Sequence, residues 1–156
     1  MDPLTFEVSE VDPGASAVRA LIETHLDLMR ASSPACSRHA MDAESLRAAG
    51  ARFFAIFDGE TAVAIGAIKR IAPGHGELKS MHVRQSMRGR GLARAMLAHL
   101  LAVARESGLV RVSLETGSQE PFAAARAFYG RSGFDTCPPF GAYRPDPNSV
   151  FMTRAI

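Results

Sequence analysis

His82-Val83-Arg84-Gln85-Ser86-Met87-Arg88-Gly89-Arg90-Gly91-Leu92-Ala93-Arg94-Ala95-Met96-Leu97 reads as strand, loop and helix, and the rest of the chain arranges itself around that reading. Upstream, Leu78 to Val83 alternates apolar and polar residues as a half-buried strand does; downstream, Leu92 to Ala104 carries apolar side chains at helical spacing. Gly89 and Gly91 lie between them. Backbone N–H groups of a glycine-rich loop that opens a helix point outward at the positive end of the helix dipole, an arrangement that suits a phosphate. Arg84, Arg88, Arg90 and Arg94 add positive charge.

Spacing separates the kinds of phosphate loop better than the glycines do. A mononucleotide loop needs Lys followed by Ser or Thr after its last glycine, and Gly91 is followed by Leu92-Ala93. A dinucleotide fingerprint wants a third glycine where Arg94 stands, and an acid about 20 residues on, where Leu109 to Arg111 offers none. Arg88-x-x-Gly91-x-Ala93 instead resembles the [Q/R]-x-x-G-x-[G/A] signature with which the GNAT N-acetyltransferase superfamily holds the pyrophosphate of acetyl-CoA.

The chain has 156 residues, enough for a single domain over 1–156 with one sizeable core. Hydrophobic residues make up 47% and charged residues 22%, globular proportions with no apolar run long enough to cross a bilayer. Met1-Asp2-Pro3-Leu4 lacks the basic start and apolar block of a signal peptide, so a soluble cytoplasmic protein is expected. Cys36 and Cys137 are too few and too isolated for a disulfide framework or a metal site. A net charge of only +2, with the arginines gathered at one loop, does not call for nucleic acid.

From the start, Leu4 to Val8 alternates as a first strand, and Ala15 to Met29 places apolar residues three and four apart on a helix. Asp42 caps a short helix over 43–47 that Gly50 ends. Asp58-Gly59 between 52–57 and 61–68 predicts a hairpin, and the turn Pro73 to Gly76 leads to the strand before the phosphate loop. The helix after that loop ends near Gly108, and Val110 to Glu115 gives a parallel strand, making a βαβ unit. Pro121 opens a helix through Ala123 to Arg131, Phe134 starts another strand, 137–147 is a Pro- and Gly-rich loop, and Val150 to Thr153 closes the sheet. The expected fold is α/β: a mixed, mostly antiparallel sheet of about six to seven strands with helices on both faces.

In that order the elements resemble the GNAT fold over almost the whole chain. Leu114-Glu115-Thr116-Gly117 and Ala127-Phe128-Tyr129-Gly130-Arg131-Ser132-Gly133-Phe134 resemble the family's fifth strand and its A-x-x-x-Y-x-x-x-G-F helix. More narrowly, Glu77-Leu78-Lys79-Ser80-Met81, the LETGS segment and the ending Pro147-Asn148-Ser149-Val150-Phe151-Met152-Thr153 resemble bacterial acetyltransferases of the YsnE-like group.

The resemblance implies a splay between strands four and five that takes acetyl-CoA as co-substrate, without a metal. Pantetheine then pairs with the backbone of Met81, His82 and Val83, while Arg88, Gly89, Arg90, Gly91, Leu92 and Ala93 surround the pyrophosphate. Tyr129 stands where the family commonly has its general acid, beside the departing thiolate. Glu77 stands at the separation from Arg88 at which histone-type members carry their general base; Glu115 or a water relay could do the same work. His25, His39 and His82 are weaker candidates, a lone histidine on an apolar face being more often a packed core residue.

The expected reaction is acetyl transfer to a primary amine of a small, amino acid-like molecule by direct attack. The alternatives are a non-catalytic acyl-CoA sensor or interaction module, and an N-acetyltransferase acting on protein or peptide. Dimers are frequent in the family, so a homodimer is implied. Strand alternation puts Glu77, Lys79 and Met81 on one face, so Lys79 either holds an acceptor carboxylate or neutralises Glu77. Arg144, with Arg38 and His39 opposite, could complete an anion site. Specificity is expected in Met29 to Met41 and Pro138 to Asn148.

Overall fold

Two periods in the sequence, two residues for strands and three to four for helices, set the elements. The computed structural model describes residues 6–32, 34 and 41–156. Seven strands form one sheet: β1 (Val8–Glu10), β2 (Arg52–Asp58), β3 (Thr61–Ala72), β4 (His75–Val83), β5 (Arg111–Gly117), β6 (Asp135–Cys137) and β7 (Ser149–Ala155). Their order is β1-β2-β3-β4-β5-β7-β6, and only β4 and β5 pair in parallel. That exception is the work of α3 (Leu92–Glu106), whose crossover brings the chain back in the same direction. A second crossover runs through α4 (Ala123–Arg131), and β7 slots between β5 and β6. No helix among the described residues is long and apolar enough to cross a membrane.

Element ends follow local chemistry. Asp42 caps α2 (Ala43–Ala48) by accepting the Ser45 N–H at 2.8 Å. The turn expected over Pro73 to Gly76 is shorter, because His75 and Gly76 already pair with β3 and β5. The first strand, expected over Leu4 to Val8, instead covers Val8–Glu10; residues 4 and 5 lie outside the described part. Its pairing partner decides this: Val8 to Glu10 run against Ile56 to Phe54, and Glu10 is tied to Arg52 at 2.8 Å.

Alternation sorts the strands' side chains into two apolar layers. Phe54, Ile56, Ala64, Ile68, Leu78, Val112 and Leu114 face α3 and α4, while Phe53, Ala55, Ile65 and Ala67 face α1 (Ser16–Ser32) and α2. On β4 the alternation breaks. Leu78 packs with the α3 layer, and so do Met81 and Val83, three and five residues on. A β-bulge explains the odd step: Ala67 pairs with Lys79 but Ile65 pairs with His82, and Ser80 in the extra position has φ 58°. Met81 is therefore turned away from Glu77 and Lys79, contrary to plain alternation, and His82 takes its place on their face.

Gly66 lies opposite this turn, under α3. A Cβ there would come within 2.9 Å of Met81 Sδ and of Met96 Cγ, and 3.0 Å of Leu100 Cδ1. Gly66→Val is expected to destabilise the fold by about 1–3 kcal/mol, as overpacking does. A drop in Tm without loss of helical circular dichroism checks it; an unchanged Tm would mean that α3 can lift off the sheet at no cost.

Candidate active site

β4 and β5 are hydrogen-bonded from His75–Arg111 to Leu78–Leu114 and then part. Each follows its other neighbour: β4 stays with β3 as far as Val83, and β5 stays with β7 as far as Gly117. The bulge at Ser80 bends β4 where the two separate. A cleft of about 560 Å3 opens between them, floored by Lys79 to Val83 and Glu115 to Gly117. Strand edges that diverge leave main-chain groups to be satisfied by something other than the sheet. Ser80 Oγ is buried in the cleft wall and has no hydrogen-bond partner among the described residues.

One end of the cleft meets the start of α3. Gly89 and Gly91 have φ of 80° and 85°, and Gly91 in the left-handed conformation is the residue before the first helical turn. The first helical bond, Ala95 N–H to Gly91 C=O, leaves the N–H groups of Leu92, Ala93 and Arg94 at the positive end of the dipole. Arg88, Gly89, Gly91, Leu92, Ala93 and Arg94 all line the cleft. Two of the loop's arginines stand apart. Arg84 reaches back to the Ala62 carbonyl at 3.2 Å, and Arg90 is exposed and outside the cleft lining.

On the α4 side, Phe122, Ala125 and Tyr129 line the same cleft. Arg126 fastens α4 to the end of β5 by donating to the carbonyls of Gly117 and Gln119 at 2.7 and 2.9 Å. The Tyr129 ring packs on Phe128 and Phe134, with centroids 5.3 and 5.8 Å away, and burial pushes its hydroxyl pKa up. That hydroxyl therefore keeps its proton throughout the neutral range and is available as a donor.

Opposite Tyr129, the two carboxylates singled out from the sequence differ sharply. Glu77 is 3% exposed and already engaged: the Tyr143 hydroxyl donates to its Oε2 at 2.5 Å, and Lys79 Nζ lies 3.5 Å from the same oxygen. Lys69 Nζ stands 3.9 Å from Oε1. Glu115, facing the cleft from β5, accepts a hydrogen bond from Ser149 Oγ at 3.3 Å. Desolvation pushes its pKa up to about 7, against the opposing pull of the Lys79 charge. Glu115 thus sits in surroundings that favour its protonated form, while Glu77 faces Lys79 and Lys69. The geometry gives Lys79 to Glu77 and Tyr143.

His25 on α1 and His82 on β4 meet across the cleft wall, Nδ1 to Nδ1 at 3.3 Å. Burial lowers their pKa values to about 3 and about 4, so both are neutral at pH 7 and hold an added proton weakly. Arg144 lines a separate surface hollow of about 830 Å3 that shares Glu77 with the cleft. His39 and Arg38 lie outside the described residues. Sequence reasoning missed Ser80, whose left-handed backbone carries no glycine to announce it, and Tyr143, whose loop was legible only as a loop.

A parallel pair that parts at a bulge, facing a helix N-terminus behind R-x-x-G-x-A, is an acyltransferase architecture. The family model described as the acetyltransferase (GNAT) family matches residues 18–134, and the chain belongs to that family. It is an acyltransferase. The chain is 40% identical to the N-acetyltransferase YedL of Escherichia coli over 151 residues, 97% of this chain and 95% of that one. It is 40% identical to the N-acetyltransferase YsnE of Bacillus subtilis over 139 residues, 89% and 92% of the two chains. Among solved structures, a Klebsiella pneumoniae protein described as an acyl-CoA N-acyltransferase superposes with a TM-score of 0.78 at 30% identity, covering 99% of each chain.

Proposed function

We propose that this protein transfers the acetyl group of acetyl-CoA to a primary amine of a small molecule, with Glu115 as general base and Tyr129 as general acid. The observation that carries this reading is the meeting of three features in one cleft: the splay past Leu78–Leu114, the free helix start at Gly91, and a carboxyl that titrates near neutrality. The residues fit the co-substrate. The α3 start with Arg88, Gly89, Gly91, Leu92 and Ala93 would hold the pyrophosphate, and the backbone of Met81, His82 and Val83 would pair with pantetheine.

Acetyl-CoA, when bound, supplies an activated acetyl group as a thioester. Glu115 takes a proton from the acceptor ammonium, which makes the amine nucleophilic. A backbone N–H of the β4 bulge offers a hydrogen bond to the carbonyl oxygen as negative charge develops there. The Tyr129 hydroxyl donates to the departing sulfur. At pH 7 Tyr129 holds its proton, as a phenol does, while burial brings the Glu115 carboxyl up to about 7.

Incubation with acetyl-CoA and a panel of amines, amino acids with their carboxamides and short peptides, followed by thiol release, tests the reading. Turnover of small amines supports it; turnover of peptides alone, or tight CoA binding with no turnover of anything, overturns it. A second prediction addresses the phosphate end. Gly91→Val is expected to raise the CoA dissociation constant about tenfold, from a left-handed strain of about 1–2 kcal/mol and from a side chain placed in otherwise open space. Unchanged affinity by calorimetry would put the phosphates elsewhere.

A further inference from the structure

The hydroxyl of Tyr143 stands between two charged groups and bonds to both. Its O–H donates to Glu77 Oε2 at 2.5 Å, and its oxygen accepts from Lys79 Nζ at 3.0 Å. The ring that carries it is fixed from two sides, by Phe140 with centroids 5.2 Å apart and by Phe151 at 5.3 Å. Phe151 is in turn the β7 residue directly paired with Glu115 on β5. The backbone aims the ring as well: a turn closes with Tyr143 N–H on the Phe140 carbonyl at 3.1 Å, and Asp146 accepts the Asn148 N–H at 2.8 Å. The loop after β6 therefore delivers one hydroxyl to one place.

We propose that Tyr143 is a positioning residue for the acid–base step, fixing the Lys79 ammonium beside Glu77 by bonding to both, so that its charge acts on Glu115 from one place. The proposal rests on Glu115 as the base. The charged and titratable groups that act on Glu115 are Lys79 and Glu77 from β4 and Asp146 from the loop before β7, with the Ser149 hydroxyl as hydrogen-bond donor. Lys79 favours the Glu115 carboxylate, whereas Glu77 and Asp146 oppose it. Burial first, and then the charges of Glu77 and Glu115, push the Tyr143 hydroxyl pKa up. Removing its hydroxyl takes an acceptor from Lys79, which then pairs more closely with Glu77. Glu115 then faces less of the Lys79 charge, so it holds its proton to higher pH.

The sign reverses for Glu77 itself. Glu77→Gln takes away the negative charge and leaves Lys79 to Glu115, so Glu115 releases its proton at lower pH. Two variants of one cluster are thus expected to move one titration in opposite directions. A residue that merely seats the loop would lower the rate at every pH and move no midpoint.

The experiment combines the acid limb of the kcat/KM–pH profile with a 13C NMR titration of the Glu115 side-chain carboxyl in the full chain without ligand. Tyr143→Phe is expected to raise both midpoints by about half a pH unit, and Glu77→Gln to lower them by a similar amount. Tm measurements confirm that each variant is folded, and the opposite-sign partner keeps the test decisive if one of them is not. An unmoved Glu115 midpoint in folded Tyr143→Phe, or a rise in Glu77→Gln, overturns the proposal. The base assignment fails separately: Glu115→Gln with wild-type activity would remove Glu115 from catalysis, while the NMR midpoints would still decide what Tyr143 does to it.

Discussion

Glu115→Gln is expected to lower kcat/KM for amine acetylation by about 10²- to 10³-fold, within the range that general base catalysis contributes, while making the protein more stable above pH 7. The two effects have one cause. Burial raises the carboxyl pKa from 4.5 to about 7, so the folded state binds this proton more tightly than the unfolded chain does. That contribution to stability is fully present below about pH 4.5 and is lost as pH rises through about 7. At pH 8 the ionised, desolvated carboxylate weighs against the fold, and a neutral amide of similar shape does not. The variant's gain in Tm should be larger at pH 8 than at pH 5. Wild-type kcat/KM should fall on the acid side with a midpoint near 7, and the variant's residual activity should lack that limb. A variant that loses activity and stability together at pH 8 would make Glu115 a structural carboxylate.

The parts of this arrangement that were legible in the sequence are those that a local rule specifies. The start of α3 at Leu92 follows from Gly91 and from the apolar spacing of Leu92, Met96, Leu97 and Leu100, all buried. The hairpin at Asp58-Gly59 and the cap at Asp42 are equally local. What the sequence could not show depends on where distant segments land. Glu77-Leu78-Lys79-Ser80-Met81-His82-Val83 reads as unbroken alternation, so Met81 is assigned to the wrong face. A bulge changes parity at the cost of one residue, and Ser80 at φ 58° is not a residue type that announces it.

The choice between two carboxylates shows the same limit. Glu77 and Glu115 lie at comparable places on adjacent strands, and both face the cleft. Their surroundings differ because Tyr143, sixty-six positions from Glu77 along the chain, folds back and donates to Glu77. Lys69 adds its charge from the neighbouring strand on the same side. Alternation correctly places Glu77 with Lys79, and so the neutralising role of Lys79 was within reach of sequence reasoning. That the Ser149 hydroxyl bonds to Glu115 was not, because β7 reaches β5 from the far end of the chain.

Tyr129→Phe is expected to reduce kcat by about 10²-fold while leaving CoA affinity within about twofold of wild type. The substitution removes one oxygen and keeps a ring that is 7% exposed and packed on Phe128 and Phe134, so the surroundings lose little. Binding at the α3 start and along β4, as proposed, would not involve that oxygen. If the hydroxyl donates to the departing sulfur, its loss costs most when the thiol leaves poorly. An acetyl thioester of a more acidic thiol, which needs less help to leave, should therefore narrow the gap between variant and wild type. Because burial keeps the hydroxyl protonated far above neutral pH, any basic limb in the wild-type profile should persist in the variant. Steady-state kinetics with two acyl donors, set beside calorimetric CoA binding, separates the possibilities. An unchanged kcat would remove Tyr129 from the mechanism. A loss of the same size with both donors would place the hydroxyl in substrate orientation, with no part in proton donation to sulfur.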